Sequence, residues 1–208
     1  MRYHGYITRC DRIAFRTSKF DELKGLKEQK EAVEILCELG FEILNPNLSS
    51  LLNYCIENTT YRRGASMEQA PDVLDCSLLV KWVYSRFGIW LPRRSIQQLQ
   101  LGEVVAKEGT KKGDVVFKSG RIDYYYDDPN KGVGHVGLVT GDGSIVHAAG
   151  SDVGVAEDSL SEFTTTENLR GIRRYIPKDE EILIIDTSNQ SREVETEEDI
   201  LWIVAQNL

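Results

Sequence analysis

The chain has 208 residues, a formal net charge of −8, and a composition of 41% hydrophobic and 28% charged residues. These values are typical of a folded globular protein with room for one domain and appendages. Nine acidic residues against two basic ones lie in residues 178–208, so the rest is close to neutral, and without an evident basic face we expect no nucleic-acid partner.

The N-terminal residues, the hydropathy of the chain and its cysteines predict the compartment. The N-terminal residues lack the apolar segment of a secretory signal, and no run of about 18 apolar residues occurs anywhere. The four cysteines are widely spaced without a C-x-x-C pair, which argues against a zinc ribbon or a disulfide framework. We therefore expect a cytoplasmic protein with free thiols, without a membrane partner, a bound metal or a cofactor.

The N-terminal part predicts a strand–helix–strand extension over residues 1–46. Hydrophobic periodicity and turn residues predict, in order, a strand within 6–15, a helix over 26–39, a strand over 41–44 and a helix over 48–60. His4 has no evident partner, so we interpret it as structural or exposed. No catalytic group is evident in this part of the chain.

The stretch Leu74–Val80 places a cysteine where a turn gives way to an apolar helix. Asp75 is a good N-cap because its carboxylate can accept a hydrogen bond from a free backbone N–H. Cys76 then lies in the first turn, where the helix dipole favours a thiolate, so the pKa of the thiol is expected to fall. The helix is predicted to end at Gly88. Taken alone, Cys76 could also be a small buried hydrophobe.

The C-terminal half is richer in predicted strands. We predict a short helix over 96–101, strands over 112–118, 154–156, 171–176 and 182–186, and a terminal helix over 195–206. A loop over 119–134 contains Tyr124-Tyr125-Tyr126, which lines either a cleft or an exposed loop edge. Helices followed by strands predict an α+β fold, with helices packed on an antiparallel sheet.

The stretch Gly134–Gly150 predicts a β-hairpin around the turn Gly141-Asp142-Gly143. A three-residue loop with a left-handed glycine would pair Thr140 with Ser144, so that paired residue numbers sum to 284. His135 and His147 would then project from one face as diagonal neighbours. A two-residue loop would place the two histidines on opposite faces.

A cysteine followed by two histidines is the set of groups that thiol catalysis needs. One imidazole takes the thiol proton and later protonates the leaving amine, while a second polar group orients the first. We therefore predict Cys76 as nucleophile, His135 as general base and acid, and His147 as the orienting group. The same three side chains could instead supply zinc ligands, and a catalytically silent binding module with structural histidines is a further alternative.

The order of the motifs resembles the NlpC/P60 family of papain-like cysteine peptidases, which act on cell-wall peptides. The matching segments are Tyr61-Arg62-Arg63-Gly64, Asp75-Cys76-Ser77, Leu91-Pro92-Arg93-Arg94-Ser95 with Gln98, Gly113-Asp114-Val115-Val116-Phe117, Gly134-His135-Val136-Gly137 and Ile145-Val146-His147-Ala148. The resemblance covers about residues 47–176. It implies a papain-like catalytic domain over 47–177, between the extension 1–46 and an acidic C-terminal extension over 178–208.

The resemblance also implies roles outside the three catalytic groups. Tyr61 would help to polarise the scissile carbonyl, while Asp75 and Ser77 would bind the free amino group of a substrate. Two residues depart from the family pattern, since Leu78 and Ala65 stand where glycines are usual. Leu78 leaves the substrate preference open.

The expected function is hydrolysis of an amide bond through an acyl-enzyme. The substrate implied by the resemblance is a peptidoglycan-derived peptide of the γ-D-Glu-diaminopimelate type. A cytoplasmic acyltransferase or deamidase that uses the same three side chains on another substrate is the alternative. The sequence assigns no chemical role to the two extensions. Three roles stay open for them: covering the edges of a sheet, restricting the cleft and mediating self-association.

Overall fold

The computed structural model describes residues 11–141, 143–165, 167–176 and 180–208. The described chain folds as two units, one comprising residues 47–83 and 91–176, the other residues 11–46, 84–90 and 180–208. The N-terminal and C-terminal extensions, which the sequence predicts as separate segments, therefore belong to a single unit. His4 and residues 6–10 of the first predicted strand lie outside the described residues.

The described residues form six α-helices and eleven β-strands. The helices are α1 (Gln29–Glu38), α2 (Leu48–Asn58), α3 (Cys76–Arg86), α4 (Ser95–Gln98), α5 (Leu160–Phe163) and α6 (Glu197–Ala205). The strands are β1 (Arg12–Arg16), β2 (Glu42–Leu44), β3 (Thr60–Tyr61), β4 (Val73–Leu74), β5 (Glu103–Val104), β6 (Val115–Lys118), β7 (His135–Gly141), β8 (Ser144–Gly150), β9 (Gly154–Ser159), β10 (Leu169–Arg174) and β11 (Ile182–Asp186).

The terminal segments combine in a three-stranded antiparallel sheet in which β11 lies between β1 and β2. Its core joins residues from both ends of the chain: Ile13, Phe15, Phe20, Ala32, Leu36, Phe41, Ile185, Val194, Ile200, Ile203 and Val204. Acids of the C-terminal segment pair with bases of the N-terminal one, as Arg16 Nη2 lies 2.6 Å from Glu197 Oε2. Four acids of the C-terminal segment thus pair with Arg12, Arg16 or Lys19 within this unit: Glu180, Asp186, Glu197 and Glu198.

Helix α3 begins and ends as the sequence predicts. Asp75 Oδ1 accepts a hydrogen bond from the Leu78 backbone N–H at 3.0 Å, which satisfies a free donor of the first turn. The helix stops before Gly88, whose φ of +69° is left-handed. A Cβ at this position would lie 2.4 Å from the Ala14 backbone nitrogen, so only glycine fits.

The larger unit is built on a six-stranded antiparallel sheet in the order β5-β10-β6-β7-β8-β9. A separate parallel pair joins β3 to β4 and places Tyr61 opposite Leu74. In the β7–β8 hairpin, Leu138 pairs with Val146 and Val139 with Ile145. The numbers of the paired residues add up to 284 in both cases, which confirms the predicted register.

The hairpin prediction is wrong next to the turn. Gly141 pairs with Ser144 after a register shift, in place of the predicted Thr140–Ser144 pair. Gly141 and Gly143 have φ values of +102° and +79°, and these left-handed conformations absorb the shift close to the turn. The interior register, which positions the histidines, is unaffected. Asp142 lies outside the described residues.

Most predicted elements are present, and the α+β class with an antiparallel sheet is confirmed. Three short features are absent from the predictions, the β3–β4 pair, β5 and α5, because two to four residues are too few to show a period. No helix within the described part of the chain combines the length and apolar character needed to cross a bilayer. Cys37, Cys55 and Cys76 are free thiols, as expected.

Candidate active site

Four polar side chains lie on one face of the large sheet, one from each of β6 to β9. Lys118 pairs in register with His135, and His147 with Ala156, two residues before Asp158. His135 Nε2 lies 2.8 Å from His147 Nδ1, and His147 Nε2 lies 2.7 Å from Asp158 Oδ2. The two histidines are therefore in contact, as predicted. The chain of hydrogen bonds extends beyond them to the carboxylate of Asp158.

The carboxylate of Asp158 fixes the tautomers of both rings. An ionised carboxylate only accepts hydrogen bonds, so His147 donates to it from Nε2 and keeps a lone pair at Nδ1. That lone pair accepts the Nε2–H of His135. His135 consequently keeps its own lone pair at Nδ1, which is the form that a general base requires.

The two imidazoles pack on apolar surface. Their centroids lie 5.5 Å (His135) and 5.0 Å (His147) from the ring of Phe163, over which Lys118 Nζ lies at 3.8 Å. Burial, then the neighbouring His147 and Lys118, lower the pKa of His135 to about 3. Burial also lowers the pKa of His147, although the hydrogen bond that its Nε2–H donates to Asp158 opposes this shift. Both rings are therefore neutral at neutral pH.

The Cys76 thiol behaves differently from the prediction. Burial, followed by the charge of Asp75, raises the pKa of the thiol to about 11, and the backbone N–H groups of Ser77 and Val136 lower it only in part. The expected fall in pKa is thus wrong, because desolvation outweighs the donors at the helix start. The hydrogen bond from the Val136 backbone N–H places the sulfur at the start of β7, the strand that carries His135.

Asp75 is held by more partners than a simple N-cap. Its carboxylate accepts hydrogen bonds from the Gly64 backbone N–H at 2.9 Å and from Ser77 Oγ at 3.2 Å, besides the helix N–H already described. The Arg93 guanidinium binds both carboxylate oxygens, with Nη1 at 2.9 Å from Oδ1. The N-cap role is confirmed, whereas binding of a substrate amino group by Asp75 and Ser77 stays a prediction.

A cavity of about 870 Å³ brings the predicted site residues together. Its lining includes Tyr61, Asp75, Cys76, Ser77, His135 and His147. The two departures from the family pattern lie outside this lining: Leu78 is fully buried and Ala65 is 1% exposed. Leu78 therefore fills the core side of α3 and does not narrow the cavity.

The geometry disfavours the zinc alternative. Of the four imidazole nitrogens, three are engaged in the His135–His147–Asp158 chain, which leaves only His135 Nδ1 for a metal. Among the residues that the structure describes, no three His, Cys, Asp or Glu side chains are grouped so that they could hold an ion.

Several residues of the site have no predicted role. The predicted strand over 154–156 stops short of Asp158, although strand alternation continued by two residues would have put this carboxylate on the histidine face. Arg93 belongs to a quoted motif, but nothing in the sequence pairs it with Asp75. Phe163 lies on the short helix α5, for which the sequence carries no signal.

The chain is similar in sequence to known proteins. The model of the NlpC/P60 family matches residues 58–174. The chain is 37% identical over 114 residues to the gamma-DL-glutamyl hydrolase of Bacillus subtilis, covering 52% of this chain and 26% of that protein. It is 33% identical over 103 residues to the gamma-D-glutamyl-L-lysine dipeptidyl-peptidase of Bacillus cereus, covering 50% of this chain and 29% of that protein. It thus spans less than a third of either relative.

Among solved structures, an NlpC/P60 family protein from Bacillus cereus matches with a TM-score of 0.53 and 29% identity, over 65% of this chain and 42% of that chain. The NlpC1 protein from Trichomonas vaginalis matches with a TM-score of 0.51 and 26% identity, over 63% of this chain and 44% of that chain. These likenesses agree with the papain-like α+β fold that the motifs imply. Because the family model covers more than half of the chain, this protein belongs to the NlpC/P60 family.

Proposed function

We propose that the protein is a cysteine peptidase or amidase that cleaves a γ-D-glutamyl peptide. The observation that carries the proposal is the convergence of Cys76, His135 and His147 on one cavity, with the two rings linked at 2.8 Å. The family membership and the names of the two curated relatives support this class of substrate. Peptidoglycan-derived peptides of the γ-D-Glu-diaminopimelate type are the proposed natural source.

The proposed first step is attack by the sulfur with proton transfer to His135. The Cys76 thiol loses its proton to His135 Nδ1 as Sγ bonds to the scissile carbonyl carbon, because free thiolate is scarce below the thiol pKa of about 11. The imidazolium formed is stabilised by His147 and, through it, by the Asp158 carboxylate. Burial raises the pKa of Tyr61, so its hydroxyl stays protonated and can polarise the carbonyl oxygen.

The proposed second half resolves the tetrahedral species. His135 gives its Nδ1 proton to the leaving amine, the C–N bond breaks, and the acyl group remains on Cys76 as a thioester. Water then attacks the thioester carbonyl, with His135 accepting its proton. Collapse releases the carboxylate product and restores the thiol.

A substrate panel tests this function. The purified protein is incubated with L-Ala-γ-D-Glu-diaminopimelate and with its α-linked isomer, and the products are identified by mass spectrometry. We expect cleavage of the γ-linked peptide into two fragments. If the acyl group is transferred from Cys76 to an added amino acid in place of water throughout, the protein is an acyltransferase. Absence of cleavage of every γ-linked peptide contradicts the proposal.

The Asp158 carboxylate provides a second prediction. We expect Asp158→Asn to lower kcat about 10- to 100-fold, the usual cost of removing a group that orients a functional histidine. KM should change little because Asp158 lies behind the histidines. The matched control is Glu157→Gln, which removes the neighbouring carboxylate that contacts Thr140 Oγ1 at 3.1 Å.

A spectroscopic readout separates positioning from general damage. Long-range ¹⁵N–¹H correlation spectra should show His147 as the Nε2–H tautomer in the parent and a mixed population in Asp158→Asn. The Glu157→Gln protein should keep the parent tautomer and kcat. An unchanged His147 tautomer together with full activity in Asp158→Asn would contradict this role.

The cytoplasmic location remains a proposal. It is supported by Cys37, Cys55 and Cys76, which form no disulfide with one another.

A further inference from the structure

The cavity that contains Cys76 is strongly basic, although the chain carries a net charge of −8. Five cationic side chains line it: Arg63, Arg93, Arg94, Lys118 and Arg121. The same lining contains one carboxylate, that of Asp75. Such a concentration of one sign raises the local concentration of an oppositely charged ligand.

Two of the five cations have structural partners. Arg93 binds Asp75, and Lys118 lies over the ring of Phe163 beside the histidines. The other three cations are Arg63, Arg94 and Arg121, and of these Arg63 and Arg94 converge on Tyr124.

Tyr124 holds these two guanidinium groups close together. Arg63 Nη2 donates a hydrogen bond to the Tyr124 hydroxyl at 3.0 Å, and the Arg94 guanidinium carbon lies 4.8 Å from the centre of the same ring. Across the described residues, the ion pairs include no carboxylate within 4.0 Å of either guanidinium group. Two like charges therefore share one aromatic ring without a counter-ion.

The backbone fixes the position of Tyr124. Its N–H and C=O groups both bond to Val133, at 3.1 Å and 2.9 Å, which closes the loop as a small hairpin. Of the three consecutive tyrosines, Tyr124 lines the cavity, whereas Tyr125 and Tyr126 are 53% and 63% exposed. The ring is thus presented on an ordered support, as a binding site requires.

We propose that Arg63, Arg94 and Tyr124 form an anion subsite that binds a second carboxylate of an acidic peptide substrate. The proposal rests on the cavity being the substrate cleft of the proposed function. Guanidinium groups present paired N–H donors that match a carboxylate, and the Tyr124 hydroxyl adds a further polar contact. The selected substrates are therefore γ-linked peptides with at least two free carboxylates.

The test measures binding in Cys76→Ala protein, where turnover does not interfere. Isothermal titration calorimetry compares γ-linked tri-D-glutamate with the same peptide carrying α-carboxamides. We expect the acid to bind at least tenfold more tightly than the amide, and less tightly as sodium chloride is raised. Arg63→Gln and Arg94→Gln, made in this background, should each weaken binding of the acid about tenfold or more and leave the amide unchanged.

The matched control is Arg62→Gln, an exposed arginine next to Arg63 that does not line the cavity. Tyr124→Phe should keep the ring against which Arg94 stacks, and should therefore lose only part of the preference for the acid over the amide. Equal affinity for acid and amide, no binding of the acid, or an equal loss in Arg62→Gln would overturn the subsite.

Turnover of the protein with intact Cys76 separates the two proposals. If the acid binds with this arginine dependence but no γ-linked peptide is cleaved, the subsite stands and the hydrolase proposal fails. If γ-linked peptides are cleaved equally by the parent, Arg63→Gln and Arg94→Gln proteins, the hydrolase stands and the subsite fails.

Discussion

A Cys76→Ala protein is expected to lose all detectable cleavage of γ-linked peptides while it keeps its fold. The sulfur is the only atom removed, and the side chain lies at a half-buried position in the first turn of α3, where alanine is a good helix former. Without the sulfur no acyl-enzyme can form. Product analysis measures the loss, and far-ultraviolet circular dichroism checks the fold.

Cys37→Ala is the matched control, because Cys37 is an exposed free thiol in the other unit of the chain. It should keep full turnover. Iodoacetamide labelling followed by peptide mapping should show the Cys76 adduct in the control and none in Cys76→Ala. Retained cleavage by Cys76→Ala would exclude the thiol mechanism.

The same labelling reports the charge state of the sulfur. Since the pKa of the Cys76 thiol is raised to about 11, the thiolate fraction grows about tenfold for each pH unit between neutrality and that value. We therefore expect the alkylation rate at Cys76 to rise in this way from pH 7 to pH 10. A rate that is already constant below pH 7 would show a preformed thiolate–imidazolium pair.

The sequence predicts the histidine face of the site because strand geometry leaves few choices. Once Leu138 pairs with Val146, alternation places His135 and His147 on one face of the hairpin whatever surrounds them. The turn itself is less determined, because two glycines allow several left-handed conformations, and there the predicted pairing fails. The local sequence pattern therefore predicts the strand register inside the hairpin better than the pairing next to the turn.

Other features depend on long-range packing, which a local pattern does not encode. The thiol pKa follows from how much protein covers Cys76, and the helix start alone predicts the opposite direction of shift. Likewise, β11 pairs with β1 at the other end of the chain, so the acidic segment becomes part of a sheet. Asp158 reaches His147 only because β9 extends beyond its predicted end.

The buried ion pair between Asp114 and Arg174 carries the largest expected effect on stability. Arg174 Nε and Nη2 lie 2.8 Å and 2.7 Å from the two oxygens of Asp114, which is 1% exposed. Apart from this pair, the Lys111 backbone N–H donates to the carboxylate at 2.7 Å. The pair therefore holds β10 beside the start of β6.

We expect Arg174→Met to lower the free energy of unfolding of the larger unit by about 3–5 kcal/mol, because it leaves a buried carboxylate without its counter-ion. Hydrogen exchange of the backbone amides in β6, β7 and β10 measures this unit separately. Lys131→Met is the control, since its exposed contact of 3.9 Å with Asp128 should contribute at most about 1 kcal/mol. Equal losses in the two variants would contradict this prediction, because they would show that the buried charge of Asp114 does not depend on Arg174 for its compensation. Because β6 and β7 also carry Lys118 and His135, a confirmed loss in Arg174→Met should lower the temperature at which cleavage ceases without changing the reaction at lower temperature.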